Sequence, residues 1–162
     1  MNDATANPTT LKVRLHQDLT TAMRARDEVA LSALRLAMSA IAVAETAGKE
    51  SVELSDEAVQ AVLAVEVRKH HESADAFAGA GRTEQAARER AEAAVVEAYL
   101  PAALTPEQLE ALVAEEVASA AAAGATGMKA MGKVVSAVRA RAGSTADGAA
   151  IAALVKAALG AG

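Results

Sequence analysis

Apolar residues recur every three to four positions along most of this chain, which is the spacing of amphipathic α-helices that bury one face. Thr9 or Thr10 supplies an N-cap for the first helix, and Ser55 supplies one for the third. We therefore expect four helices before Pro101. Their predicted inward positions are Leu11, Leu15, Leu19, Ala22 and Met23; Leu31, Leu34, Met38 and Ile41; Val59, Leu63, Val67, His70, Ala74 and Phe77; and Ala91, Ala94, Val95 and Ala98.

The breaks between these helices coincide with residues that disfavour or terminate helix. The first helix gives way near Arg26-Asp27, and Gly48 is placed to be a left-handed C-cap of the second. Gly79 and Gly81 interrupt the third helix, and Pro101 stops the fourth. The third and fourth helices are thus joined by a short glycine-containing turn.

The sharpest boundary signal in the chain begins at residue 104. Thr105 is placed as an N-cap, Pro106 as the first helical residue, and Gln108 as the second member of a capping box. Leu104 and Leu109 have the spacing of a hydrophobic staple across the same helix start. We place a module boundary just before it, at 101–105.

Three short amphipathic helices are predicted after this boundary. Their inward positions are Leu109, Leu112, Val113, Val117 and Ala120; Met131, Val134, Val135, Val138 and Ala142; and, after Asp147 as N-cap, Ile151, Leu154, Val155, Ala158 and Leu159. The predicted fold is all-α, with a disordered N-terminus at 1–9, an N-terminal helical domain of about four helices at 10–101, and a small three-helix bundle tail at 102–162.

Composition supports helices and excludes several kinds of chemistry. The chain is 52% hydrophobic but only 1% aromatic, which favours close-packed helices rich in alanine. It contains no cysteine, so disulfides, thiolate catalysis and cysteine-ligated metal sites are excluded. We see no apolar run long enough to cross a bilayer and no signal-like start, so we expect a cytoplasmic protein with no membrane partner.

Charge is distributed unevenly along the chain. The formal net charge is -5, and residues 1–101 carry eleven Lys/Arg against sixteen Asp/Glu, whereas residues 102–162 carry five of each. Four of the acids of the tail, Glu107, Glu110, Glu115 and Glu116, come first, and Lys129, Lys133, Arg139 and Arg141 follow. Gly132 lies between the two lysines and leaves the backbone open to a close neighbour. The basic face is therefore either a solvated surface or a contact with a sugar–phosphate backbone.

Groups that could bind a cofactor or catalyse a reaction are few. The segment that begins at Gly127 has P-loop spacing as far as its lysine, but Val134 stands where Ser or Thr should hold magnesium, and no strand precedes it. His70, His71 and Asp75 lie close in sequence but lack the ligand set of a helical metal site. No serine lies in a Gly-x-Ser-x-Gly elbow. We expect no cofactor, no metal and no catalysis by this chain alone.

A set of short motifs is spread along the chain. They are Arg26-Asp27, Leu34-Arg35, Glu45, Glu66-Val67-Arg68-Lys69, Glu72-Ser73, Phe77, Gly81-Arg82, Glu89, Glu92 and Tyr99-Leu100-Pro101, then Met131-Gly132-Lys133-Val134, Ala146-Asp147-Gly148 and Val155-Lys156. On these residues the sequence resembles the YqeY-like proteins, whose tail is similar to the C-terminal tail domain of the B subunit of aspartyl/glutamyl-tRNA amidotransferase. The resemblance spans roughly Leu11 to Leu159. Where relatives tend to carry a basic pair, this chain has His70-His71.

The resemblance implies a tRNA-contacting tail without the catalytic parts of the amidotransferase. We expect a non-catalytic, tRNA-associated protein, and any amidotransferase activity would be implied by the resemblance alone. Two alternatives stay open: an adaptor that binds a partner protein through residues 59–101 without RNA, and an accessory to glutamine-dependent carbon–nitrogen ligase activity. The expected RNA contacts are Lys129, Lys133, Arg139 and Arg141 in the tail, with Arg68, Lys69 and Arg82 as a second patch.

Overall fold

The computed structural model describes residues 9–143 and 146–160 of the chain. Within these ranges it contains no strand, and the predicted all-α fold is confirmed. The helices are α1 (Leu11–Ala25), α2 (Glu28–Glu45), α3 (Asp56–Gly79), α4 (Thr83–Glu97), α5 (Pro106–Ala122), a 3₁₀ helix (Gly127–Ala130), α6 (Met131–Ala142) and α7 (Gly148–Gly160). The predicted disordered N-terminus lies outside the described residues except for Thr9. No helix of the described ranges is long and apolar enough to cross a membrane.

The chain divides into two compact units, Met1–Leu100 and Pro101–Gly162, and each has its own apolar core. In the first unit, Leu15, Leu34 and Leu63 are almost completely buried at the contacts between α1, α2 and α3. Small residues are also fully buried on α2, α3 and α4, so the helix backbones can approach closely. These small, fully buried residues are Ala33, Ala37, Ala74 and Ala93.

Most of the predicted inward face of α4 is wrong, although Val95 is partly buried against the core as predicted. Ala91, Ala94 and Ala98 are exposed, and the helix instead buries Ala93 and Val96. The same face also carries Ala86 and, unexpectedly for an acid, Glu92. Alanine lies on every side of α4, so the apolar pattern marks no single face.

Three helices end in a Schellman motif, in which the residue beyond the helix adopts a left-handed conformation. Gly81 (φ 73°) follows α3 and Gly124 (φ 85°) follows α5. After α1 the same position is taken by Arg26 (φ 56°), while the N–H of Asp27 donates to the carbonyl of Ala22 at 3.0 Å. A side chain in this conformation is strained, because its Cβ crowds the neighbouring carbonyl.

The expected left-handed cap at Gly48 is wrong, since α2 already ends at Glu45 and Gly48 does not have a positive φ. The hydroxyl of Thr46 donates to the carbonyls of Ala42 and Val43, at 2.9 and 3.3 Å. The backbone N–H of Thr46 donates to the same two carbonyls, both at 3.2 Å, so the last turn of α2 is capped without a left-handed residue.

The tail unit begins with the capping box that the sequence predicts. The N–H of Gln108 donates to the Thr105 hydroxyl at 3.1 Å, and the N–H of Thr105 donates to the Gln108 side chain at 2.9 Å. The α5, α6 and α7 helices then pack on one another around a core that includes Val134, Val138 and Ile151. Asp147 caps α7 by accepting from the N–H of Ala149 at 3.2 Å.

Tyr99 closes the first unit at the end of α4. Its ring is buried, and its hydroxyl donates to a carboxylate oxygen of Asp18 on α1. The guanidinium of Arg14 lies 5.4 Å from the ring centroid, within the range of a cation–π contact. The side chain therefore links α1 to the last residues of the unit.

Replacing Arg26 by glycine tests the strained end of α1. We expect Arg26→Gly to raise the free energy of unfolding by about 0.5–1 kcal/mol, because glycine adopts a positive φ without steric cost. Gly81→Ala is the matched control, and it should lower the free energy of unfolding by about 1 kcal/mol for the same reason. Urea unfolding followed by circular dichroism measures both, and a less stable Arg26→Gly variant would contradict the assignment of strain.

Tyr99 can be titrated alone, because the chain has one tyrosine and no tryptophan. Burial, and then the hydrogen bond to Asp18, raise the pKa of Tyr99 in the folded protein. Since this pKa lies above the unfolded value of about 10, the contribution of the phenol to stability is complete below pH ~10 and is lost as pH rises through the folded pKa.

The native protein should therefore show less phenolate absorbance at pH ~11 than the urea-unfolded chain, which should titrate near pH ~10. Asp18→Ala should move the native titration down towards the unfolded value. A native phenol that titrates near pH ~10 while the helical dichroism is unchanged would contradict this arrangement.

Candidate functional site

Lys129 and Lys133 lie at the start of the second helix of the tail unit. Lys129 belongs to the 3₁₀ helix and Lys133 to the first turn of α6, and both side chains are exposed. Neither forms an ion pair with an acid of the described ranges. A Cβ added at Gly127 or Gly132 would meet no atom within 4 Å, so the backbone beside the lysines is open. We call this region, Gly127 to Lys133, the lysine face.

The two arginines of α6 are engaged with other parts of the tail. The guanidinium of Arg141 lies 2.9 Å from a carboxylate oxygen of Glu115 and 2.7 Å from one of Glu116, both on α5. These hydrogen bonds, the one to Glu116 first, raise the pKa of Arg141. The guanidinium of Arg139 lies over the start of α7, where a Cβ on Gly148 would be 2.5 Å from its Nη2 atom. The acids of α5 thus neutralise part of the basic charge of α6.

The second expected patch is spread along the hairpin of α3 and α4. Lys69 pairs with Glu66 of its own helix at 2.7 Å. Arg68 is exposed on α3, and Arg82 is exposed at the start of α4. Eleven residues separate Arg68 from the end of α3 at Gly79, a rise of roughly 16 Å, so the two arginines lie at different levels of the hairpin.

A polar cluster is buried between α3 and α4. His70 is 6% exposed and Glu92 is 5% exposed. The Nδ1 atom of His70 lies 2.7 Å from Glu89 Oε2 and 3.8 Å from Glu92 Oε2. Arg88 approaches from the solvent side and donates from Nε to Glu92 Oε1 at 3.0 Å. We call His70, Glu89 and Glu92 the hairpin cluster.

Two further pairs connect the same helices at the surface. His71 Nε2 lies 2.6 Å from Glu97 Oε1, and Arg90 Nη2 lies 3.6 Å from Asp75 Oδ1. The His70-His71 pair therefore faces acids of α4. Exposed pairs of this kind contribute little to stability.

An exposed apolar groove of about 430 Å³ lies between α2 and α3 of the first unit. Leu36 and Val43 of α2 and Val65 of α3 are among its lining residues, and all three are exposed. The ion pair of Glu66 and Lys69 also belongs to the lining. The groove offers an apolar surface to a partner, but it contains no arrangement of catalytic groups.

Sequence reasoning missed Glu89 and Glu92 as partners of His70. The sequence signal that could have found them was the glycine turn. In a pair of antiparallel helices, residues at equal distances from the turn lie opposite each other. His70 lies eleven residues before Gly81, and Glu92 lies eleven residues after it. The search for ligands within α3 alone could not find them.

Seven α-helices in two compact units, with no strand in the described ranges, define the class of protein as all-helical and two-unit. A family model described as Yqey-like protein matches residues 12–159. The chain therefore belongs to the YqeY family, and the resemblance inferred from its motifs is confirmed. A comparison with curated proteins finds no match.

Proposed function

We propose that this protein is a non-catalytic, tRNA-associated helical protein that contacts RNA through the lysine face of its tail unit. The observation that carries the proposal is the exposure of Lys129 and Lys133, one turn apart and without an ion-pair partner in the described ranges. The open backbone at Gly127 and Gly132 lets a sugar–phosphate chain approach closely. Phosphate contacts of this kind position RNA without reading its sequence.

The small number of unpaired cations predicts a weak interaction. Each lysine that neutralises a phosphate releases condensed counterions, so affinity falls as salt rises. The net charge of -5 adds long-range repulsion of RNA outside the lysine face. Arg139 and Arg141 stay in the proposed contact set, but the contacts of Arg141 with Glu115 and Glu116 reduce its share.

The resemblance of the tail to the amidotransferase B subunit supports tRNA as the RNA. The proposal needs no nucleophile, acid or base from this chain, because binding alone is assigned to it. Residues 102–162 serve as the tRNA-contacting domain in this account, and residues 10–101 as a separate helical domain. An accessory role in tRNA amidation would follow from delivery of tRNA rather than from chemistry.

Titration of labelled tRNA at low and moderate salt tests the lysine face. Lys129→Ala/Lys133→Ala should weaken binding at both salts and reduce the slope of log K against log salt by about 1.5, as two lost phosphate contacts require. Arg24→Ala/Lys49→Ala is the matched control, since it removes the same net charge from exposed side chains of the other unit.

Equal losses of tRNA affinity in the two double variants would show a net-charge effect and contradict the lysine face as the RNA contact. Absence of tRNA binding at low salt would also contradict it. If the chain captures a partner protein from nuclease-treated lysate while tRNA is not bound, the adaptor alternative replaces the proposal. A Val65→Asp substitution, which lies both in the segment 59–101 and in the apolar groove, should then abolish that capture.

Release of Arg141 provides the reciprocal test. Glu115→Gln/Glu116→Gln removes both carboxylate charges that hold the guanidinium, so we expect tighter tRNA binding and a salt slope larger by about 1. The same pair of substitutions in an Arg141→Ala background should give a smaller gain, because the freed cation is missing. An identical gain in tRNA affinity with Arg141 and with Arg141→Ala would mean that only the loss of the two acidic charges matters, and not the release of Arg141.

A further inference from the structure

We infer that the hairpin cluster of His70, Glu89 and Glu92 is a binding site for one divalent transition-metal ion, with zinc as the best fit. One potential ligand atom from each of the three side chains lies within 4.8 Å of the other two. The sequence predicts no metal because α3 alone offers too few ligands. The missing ligands come from α4, which the turn at Gly81 places opposite His70.

The spacing of the ligand atoms suits a metal ion. Tetrahedral ligands at about 2.0 Å from zinc are roughly 3.3 Å from one another. The separations of His70 Nδ1 from Glu89 Oε2 and Glu92 Oε2 are 2.7 and 3.8 Å, on either side of that value. All three ligand atoms lie within 4.8 Å of one another, close to the separation that a single bound ion requires.

An unpartnered buried oxygen points to a cation at this position. Glu92 is only 5% exposed, and its Oε1 atom accepts from Arg88. No hydrogen bond to its Oε2 atom is found among the described residues: His70 Nδ1 lies 3.8 Å away and is bonded to Glu89. A buried carboxylate oxygen without a partner is costly, and a bound cation would remove that cost.

Two surrounding features complete the site. Arg88 orients the Glu92 carboxylate from outside the ligand set, which is the usual role of groups that surround metal ligands. The Glu89 side chain is 25% exposed, so one side of the cluster is open to solvent. Three protein ligands and a solvent-facing position match zinc with a water as the fourth ligand.

The donor set selects the class of metal. Imidazole nitrogen suits zinc and other first-row transition metals, whereas magnesium and calcium prefer oxygen ligands alone. One histidine and two glutamates are enough ligands for a single ion. The described part of the cluster has no second histidine that could bind another. The bound ion would connect α3 to α4 directly and so stabilise the hairpin.

Calorimetric titration of the chelator-treated protein with Zn²⁺, and separately with Mg²⁺, tests the site. We expect one equivalent of Zn²⁺ to bind, an increase in thermal midpoint with Zn²⁺, and no comparable effect of Mg²⁺. Glu89→Gln and Glu92→Gln should each weaken Zn²⁺ binding at least about 100-fold, and Arg88→Ala about 10-fold. His71→Gln is the control, because it removes the neighbouring exposed imidazole and should leave binding unchanged.

Circular dichroism of each variant without metal establishes that it is folded, and Glu89→Gln is the safer variant because Glu89 is partly exposed. The inference is overturned if the folded wild-type protein binds no stoichiometric Zn²⁺. It is equally overturned if His71→Gln removes binding while folded Glu89→Gln retains it, since the ion would then lie on the surface pair of His71 and Glu97.

Discussion

The reversal of the chain at Gly81 is the constraint on which the rest of the first unit depends. The N–H of Arg82 donates to the carbonyl of Phe77 at 2.8 Å, and the positive φ of Gly81 allows the chain to turn at once. This turn fixes which residues of α3 meet which residues of α4. Because alanine gives α4 no distinct apolar face, the turn and the polar contacts around His70 and Glu92 set its alignment.

The two units divide the candidate chemistry between them. The first unit encloses a buried polar cluster within a core of small residues. Because a buried polar group without a partner is costly, the hydrogen-bond partner of each group in the cluster strongly affects stability. The tail unit instead exposes its charges, and ion pairs between α5 and α6 decide which cations stay available. Arg141 is held by acids while Lys129 and Lys133 are not. The proposed RNA contact and the inferred metal site therefore depend on different residues in different units.

Helical periodicity was sufficient for most positions with large apolar side chains, although Met23, which was predicted to be inward, is exposed. The stripe that contains Val59 and Leu63 and the capping box at Thr105 both follow from local rules. The buried face of α4 could not be predicted from local rules, because an alanine-rich helix has no strong periodic signal. The pairing of His70 with Glu92 depends on tertiary alignment and not on local sequence, although their equal distance from Gly81 would have indicated it. The pairing of Arg141 with the acids of α5 likewise depends on tertiary alignment.

The most direct test of the α3–α4 alignment is a crystal structure of the protein grown with zinc, with anomalous data collected at the zinc edge. The account predicts a single strong anomalous peak within about 2.0–2.2 Å of His70 Nδ1 and of one oxygen each of Glu89 and Glu92. A peak found only at the surface pair of His71 and Glu97, or a hairpin in which His70 does not face Glu92, would contradict it.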